Sequence, residues 1–272
     1  MKKILCPTDF SESAQNAIAY AAKLAQKIGA QLTLFNVQSL LELTALELVR
    51  GKALRVEAYK ELLEKQSFEI SKTFKISCYA EVQPSSSSFA KTIANRAIGY
   101  DLIIMGTNGA DSFFQFLSGS NAYQAVIKTN VPVLIIPSGC MYSEIQNVVY
   151  AFDFLRERKL PIQQLLPLID ALKAQLTVLQ VMEEAYSKDT EDYLKELQFI
   201  LQQNYGDQLT LRFDSIRSSK VSTSIDRYIA EHQPDALAVC TVHRNFLETL
   251  FHKSVIKNIS SISEYPVFVF HG

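Results

Sequence analysis

Net charge, long apolar runs, cysteine and glycine are all scarce in this chain. Its formal net charge at pH 7 is −1, so electrostatics give no reason to expect nucleic acid or an anionic membrane as a partner. No apolar run approaches the length of a membrane-spanning helix. The few apolar residues before Pro7 do not form a secretion signal. These absences predict a cytoplasmic protein.

Cysteine is limited to four residues that lie far apart along the chain, at Cys6, Cys78, Cys140 and Cys240. That wide spacing is typical of buried or free thiols in a reducing compartment. With 48% hydrophobic and 20% charged residues, the 272-residue chain should be globular and large enough for two domains.

An internal repeat sets the organisation of the chain. The run Asp101–Met105 has its counterpart in Asp235–Val239, 134 residues later, and Pro132 and Pro266 precede apolar runs with the same offset. Near the front of each half the offset is 144 residues, because the first half carries the longer segment after its second strand. The repeat predicts two homologous domains, at 1–139 and 145–272, joined by a linker near Ser138 to Ile145.

Each half alternates apolar runs with helical patterns, which predicts an α/β fold: an open parallel five-stranded sheet flanked by helices, of the Rossmann-like type. The predicted strands of the first half lie near 3–6, 31–37, 75–82, 101–105 and 132–136. Its predicted helices lie near 12–28, 41–72, 86–98 and 119–129, with Gly51 as a candidate break in the second. The strands of the second half are expected near 147–151, 174–181, 208–214, 235–239 and 266–270.

Three of the nine glycines fall in one window, Gly106-Thr-Asn-Gly109 followed by Gly119-Ser120. The window follows the buried run Asp101–Met105 and precedes a helix that starts near Asn121. Bare backbone after a strand, together with a helix N-terminus, can hold an anion such as phosphate. Two glycines after a strand are also what an ordinary turn requires, and neither the Walker lysine pattern nor G-x-G-x-x-G is present.

Asp9 follows the first predicted strand and precedes Ser11, a candidate N-cap for the first helix. A carboxylate at a strand's carboxyl end could accept hydrogen bonds from a ribose or an adenine amine. The alternative is that Asp9 only caps the helix, which is a common function of aspartate.

The spacing G-x2-G-x9-G-S, together with the opening Lys3-Ile-Leu-Cys-Pro-Thr-Asp9, resembles the universal stress protein family over essentially the whole chain. The resemblance implies an adenine-nucleotide alpha hydrolase-like fold and a site for ATP or another adenine nucleotide, with Mg²⁺ as an accompanying ion. The positions that match the family's binding residues are Pro7, Thr8, Asp9, Val37, Met105, Gly106, Asn108, Gly109, Gly119, Ser120 and Asn121. Asn36 and Asn108 stand where histidine is frequent in the family.

The second half keeps Asp153 and Ser254 but replaces the three glycines by Cys240, His243 and Lys253. Side chains at these positions would fill the space of a phosphate, so we expect a degenerate, structural copy. In the family, the fifth strands of two copies pair across a dimer interface. The resemblance therefore implies an intrachain pseudo-dimer and leaves a further homodimer open.

All four histidines lie in the second half, which raises the question of a metal site. The spacing of Cys240, His243, His252 and His271 matches no standard zinc pattern, so we expect no metal. The serine run Ser85–Ser88 is expected to be a loop and helix cap, since the first half has no histidine to activate a nucleophile.

Three functions remain open: a regulatory module that binds a nucleotide and presents its surface to an unidentified protein partner, a slow ATP hydrolase, and an interaction scaffold without ligand. The first half shows no obvious base for water and no catalytic lysine or arginine motif. The intact glycine spacing argues against the scaffold. The sequence therefore favours the binding module over an enzyme.

Overall fold

The structure is a computed structural model, and it describes residues 1–39, 47–107, 121–152, 161–182, 188–240 and 264–270. The chain divides into two compact units, Met1–Tyr142 and Ser143–Gly272. The division falls inside the segment 138–145 that the repeat indicates. Each unit has an α/β fold built on a parallel sheet, as the sequence predicts.

Unit 1 contains five parallel strands and, in its described part, four helices. Its strands are β1 (Lys3–Pro7), β2 (Gln31–Ser39), β3 (Cys78–Ser85), β4 (Leu102–Thr107) and β5 (Val133–Pro137). Its helices are α1 (Glu12–Ile28), α2 (Glu47–Phe74), α3 (Phe89–Arg96) and α4 (Asn121–Lys128). The strand order is β3-β2-β1-β4-β5.

Unit 2 repeats this order as β8-β7-β6-β9-β10. Its strands are β6 (Asn147–Phe152), β7 (Gln175–Met182), β8 (Thr210–Arg217), β9 (Ala236–Cys240) and β10 (Val267–Phe270). Its described helices are α5 (Leu166–Leu172), α6 (Lys188–Tyr205) and α7 (Val221–His232), and a 3₁₀ turn, Pro161–Gln164, precedes α5.

One polar feature of the repeat recurs in both units. The Asp101 carboxylate accepts hydrogen bonds from the backbone N–H groups of Lys2 and Lys3, at 2.6 and 2.9 Å. Its counterpart Asp235 accepts from the backbone of Gln146 and Asn147, at 2.9 and 2.8 Å. Each aspartate thus anchors the start of the first strand of its unit.

Two sequence predictions are wrong in detail. α2 runs without interruption from Glu47 to Phe74, so Gly51 does not break it, while the predicted start at 41–46 lies outside the described residues. β3 begins at Cys78 instead of 75, because Lys75 takes up a left-handed conformation (φ 54°) directly after the helix.

The segment predicted as a linker packs back on unit 1. Gly139 turns the chain with φ 81°, and the Asn16 side chain of α1 donates to the backbone oxygens of Pro137 and Cys140, both at 3.1 Å. Tyr142 meets Tyr20 of α1 edge-on, with ring centroids 5.0 Å apart. These contacts explain why unit 1 extends to Tyr142.

The core of unit 1 lies between its sheet and helices with small buried side chains. α1 buries alanines at several positions, listed as Ala14, Ala17, Ala21, Ala22 and Ala25. Small side chains let the helix axis lie close to the sheet.

Along the described residues, no helix combines the length and the apolar character needed to cross a bilayer. The two-domain pseudo-dimer stays a prediction.

Candidate functional site

The candidate site lies where the strand order of unit 1 reverses. β1 pairs with β2 on one side and with β4 on the other, all in parallel, so the chain winds outward from this point in both directions. In open α/β sheets, ligands bind outside the carboxyl ends of the strands at such a switch point. The structure thus places the predicted residues Pro7 to Asp9 beside Met105 and Gly106.

The turn after β1 is held by its own polar groups. The Thr8 N–H donates to the Phe35 carbonyl at 2.8 Å, and the buried Thr8 hydroxyl accepts from the Phe10 N–H at 3.1 Å. Asp9 is exposed, and its Oδ1 accepts from the Ser11 N–H at 3.0 Å. The Ser11 side chain caps α1 by accepting from the Ala14 N–H at 3.3 Å.

These hydrogen bonds show that Asp9 is not the N-cap of α1. Ser11 is the helix cap, and Asp9 supports the turn through one carboxylate oxygen. No described residue bonds its second oxygen, Oδ2. An exposed carboxylate fixed by one oxygen can accept a ligand's hydrogen bond with the other.

Phe10 adopts a strained backbone conformation in the same turn. Its φ is 66°, in the left-handed region that bulky residues rarely enter. Its ring stacks on Tyr59 of α2, with centroids 5.4 Å apart and an angle of 24° between the planes. Strained conformations of this kind concentrate at functional sites and persist because surrounding contacts fix them.

Asn36 joins the ends of β1 and β2. Its buried side-chain N–H donates to the Thr8 carbonyl at 2.7 Å, and its oxygen accepts from the Gln38 side chain. Val37, one of the predicted binding residues, follows and is half-buried. The asparagine that replaces the family's frequent histidine therefore fixes the turn through both atoms of its amide.

Gly106 lies inside β4, opposite Ile136 of β5, and not after the strand as the sequence suggests. A Cβ at this position would lie 2.2 Å from the Ser13 carbonyl oxygen of α1. The close approach of the first turn of α1 therefore requires glycine here, whether or not a ligand binds. This packing reason for Gly106 is additional to the predicted phosphate contact.

Thr107, the last residue of β4, is a candidate that sequence reasoning missed. It is 4% exposed, and its hydroxyl has no hydrogen-bond partner among the described residues. Leaving a buried hydroxyl unpaired costs about 1–3 kcal/mol, so such groups warrant a functional explanation. The signal in the sequence is a polar side chain that ends the apolar run before Asn108.

The remaining predicted residues of the glycine loop, Asn108, Gly109, Gly119 and Ser120, lie outside the described residues. Asn121 is the first described residue of α4. The predicted helix N-terminus beside the loop stays a prediction.

The thiol nearest this edge is neutral. Cys6 lies in β1 and is fully buried, and burial raises the pKa of its thiol well above the ordinary range. Burial also raises the pKa of Cys78 to about 12. Neither cysteine forms a disulfide. The only charge among the described residues that we assign to the site is the Asp9 carboxylate.

In unit 2 the corresponding edge is different. Cys240 ends β9 at the position of Gly106 and is fully buried. Asp153, His243, His252, Lys253, Ser254 and His271 lie outside the described residues. Within the described part of the chain, no three His, Cys, Asp or Glu side chains group around a potential metal position. The expectation that no metal binds stays a prediction.

Comparisons with known proteins agree with this fold. The sequence profile described as the universal stress protein family matches residues 1–137. Among curated proteins, none matches the chain.

Solved structures extend the likeness to both units. A universal stress protein from Archaeoglobus fulgidus is 18% identical, with 99% of this chain and 98% of that protein covered and a TM-score of 0.70. A Pseudomonas aeruginosa UCBPP-PA14 protein described as a universal stress protein is 17% identical, with coverages of 100% and 93% and a TM-score of 0.55. At these identities the likeness shows a common fold.

Proposed function

The chain belongs to the universal stress protein family, and we propose that its first unit binds ATP or a related adenine nucleotide at the carboxyl edge of β1, β2 and β4. The observation that carries this proposal is the unsatisfied polar edge at the switch point. There the free oxygen of Asp9 and the unpartnered, buried hydroxyl of Thr107 end two neighbouring strands.

The polar groups of this edge suit the parts of a nucleotide. Asp9 would accept hydrogen bonds from the ribose hydroxyls or the adenine amine, and the backbone of Val37 would hold the adenine ring. The sequence after Thr107 supplies Gly109, Gly119 and Ser120 for the phosphates, and the described part of α4 begins at Asn121. An N-terminal helix end favours an anion through its free N–H groups and its dipole.

Binding is better supported than hydrolysis. None of the described residues at this edge is basic, and its one carboxylate already supports the turn through Ser11. Phosphoryl transfer needs cations on the transferred phosphate and a group that orients water. We therefore propose a regulatory module whose occupancy by nucleotide, with Mg²⁺ as an accompanying ion, changes the surface offered to a protein partner.

The repeat provides a matched test of this proposal. Asp9→Ala should weaken ATP binding about tenfold, because one lost hydrogen bond to a charged group corresponds to about 1.5 kcal/mol or more. Asp153→Ala changes the counterpart in the second half and should leave the affinity unchanged. Calorimetry on the full chain measures both.

Equal weakening by the two variants, or unchanged binding in Asp9→Ala, would contradict the assignment. Phosphate release from the same samples tests the slow-hydrolase alternative. Binding without release is the expected result.

A further inference from the structure

Strand β8 forms a free edge of the sheet of unit 2. It stands at the end of the strand order, and among the described residues it pairs only with β7. The Ser218 N–H, directly after β8, donates to the Met182 carbonyl of β7 at 2.8 Å. Backbone groups of successive residues alternate between the two sides of a strand, so those of Leu211, Phe213 and Ser215 point away from β7. No described residue bonds them.

The equivalent edge of unit 1 carries a proline. There the Leu32 N–H donates to the Ser77 carbonyl at 2.9 Å, so by the same alternation the backbone of Pro84 in β3 points outward. Proline has no N–H, and proteins use it on edge strands to prevent another strand from adding. β8 contains no proline between Thr210 and Arg217. The edge of unit 2 therefore lacks this protection.

A groove of about 500 Å³ lies beside this edge, between β8 and α7. Its strand wall consists of residues 213–216, whose side chains alternate between the two faces of the sheet, so the groove opens onto the free edge itself. Its helix wall includes Arg227 and Glu231, which are largely exposed and form an ion pair at 3.9 Å. The groove has room for side chains of an added strand, which is a common mode of protein recognition.

The charges of β8 favour a second copy of the same strand as its partner. Arg212 and Asp214 stand on either side of Phe213. When two copies of β8 pair in antiparallel orientation around a two-fold axis at Phe213, Arg212 of each copy lies opposite Asp214 of the other. An axis at Arg212 or at Asp214 would place like charges opposite each other, which is unfavourable. The charge pattern therefore selects one register.

Both charged side chains can take part in such a pair. The Arg212 and Asp214 side chains are 53% and 21% exposed, and Arg212 Nε donates to Asp214 Oδ1 of the same strand at 3.1 Å. Asp214 also accepts from the Tyr228 hydroxyl of α7. A guanidinium has five N–H donors and a carboxylate has about four acceptor sites, so both groups can form further hydrogen bonds.

We propose that two copies of this chain form a dimer through their β8 strands. Leu211 of each copy pairs with Ser215 of the other through backbone hydrogen bonds, and Phe213 pairs with its own counterpart, ring beside ring. The two-fold axis makes the contact self-complementary, as is usual in homodimers. The proposal does not depend on nucleotide binding by unit 1.

Ser215→Pro tests the edge directly. It removes an outward N–H and leaves the ladder with β7 intact, as Pro84 does in unit 1. Sedimentation of the full chain between about 5 and 300 μM should show a dimer for the native protein and a monomer for this variant. Ser215→Ala keeps the N–H, so this matched control should dimerise like the native chain.

Two charge reversals test the register. Arg212→Glu places acid opposite acid in a homodimer, and Asp214→Lys places base opposite base, so each variant alone should associate at least about tenfold more weakly. A mixture of the two variants has an acid opposite a base at both positions and should form a heterodimer, which native mass spectrometry identifies. Cooperative thermal unfolding of each variant verifies that it is folded.

Three results would overturn the proposal. The first is a native chain that stays monomeric up to about 300 μM. The second is a dimer that persists in Ser215→Pro, since it would form through another surface. The third is a pair of folded charge variants that do not associate when mixed.

Discussion

The two units share a chain path and differ at one edge. Both have the strand order of an outward-wound parallel sheet, and Asp101 and Asp235 anchor the first strand of each in the same way. At the carboxyl edge, unit 1 has Gly106 where unit 2 has Cys240. The shared elements depend on apolar strands, whereas the edge depends on single residues, so the edge can diverge while the sheet persists.

The first helix of each unit also differs between the two units. α1 has 17 residues and a serine cap, while α5 has 7 residues and no side-chain cap at Leu165. Both helices end at equivalent positions, Ile28 and Leu172, and the 3₁₀ turn Pro161–Gln164 stands where α1 has Ala17–Tyr20. A helix as close to β4 as α1 is cannot pass a cysteine at 106, because even its Cβ would meet Ser13.

Exchanging Gly106 and Cys240 should have the largest effect on stability of all the changes that distinguish the two units. Gly106→Cys should reduce the free energy of unfolding of unit 1 by about 3 kcal/mol, because the obstructing atoms are backbone and cannot turn aside. Cys240→Gly should cost unit 2 about 2 kcal/mol through lost burial and added chain entropy. Hydrogen–deuterium exchange resolves the two units peptide by peptide.

Thr107→Val is the control for Gly106→Cys, since it changes the adjacent residue without adding bulk. It should leave stability unchanged or raise it, because the unpaired hydroxyl is removed. A Gly106→Cys chain as stable as this control would contradict the packing account of Gly106.

Asp101 and Asp235 allow a test of whether the first strands of the two units are anchored equally. Asp101→Asn and Asp235→Asn should each cost about 1 kcal/mol, since a carboxylate that accepts two N–H bonds becomes a neutral amide at an exposed position. Amide exchange at Lys3 and Asn147 should accelerate correspondingly. A large effect in one unit alone would show that the two anchors are not equivalent.

Helix caps should give the smallest effect. Ser88 caps α3 by accepting from the Lys91 N–H at 3.4 Å, whereas Lys220 precedes α7 without a side-chain cap. Ser88→Ala should lower stability by about 1 kcal/mol, and Lys220→Ser should raise it by about 0.5 kcal/mol. Thermal unfolding monitored by circular dichroism distinguishes these directions, and a gain in both variants would refute the assignment of Ser88 as a cap.

Sequence patterns predict what depends on local chemistry. The capped start of α1 at Glu12, the buried runs that become β4 and β5, and the repeat all follow from residue types and spacing. Gly51 does not break α2, because one glycine costs a helix only about 1 kcal/mol. Gly106 is also required because a Cβ there would meet the Ser13 carbonyl oxygen. Ser13 lies more than 90 residues away in sequence, so no local pattern reveals this contact.

The same limit applies to the site. The family resemblance predicts both Asp9 and Gly106 as binding residues, and the pairing of β1 with β4 brings their strands together. The sequence does not predict the unpaired hydroxyl of Thr107, because an unsatisfied hydrogen bond is a property of the folded surroundings and not of the residue type.

The number of ATP molecules bound per chain tests the central difference between the units most directly. Calorimetry with Mg²⁺ on the full chain should give one site, which Gly109→Lys abolishes and which His243→Lys, the counterpart change in the second half, leaves intact. Two sites, no site, or loss of binding in His243→Lys would contradict the account.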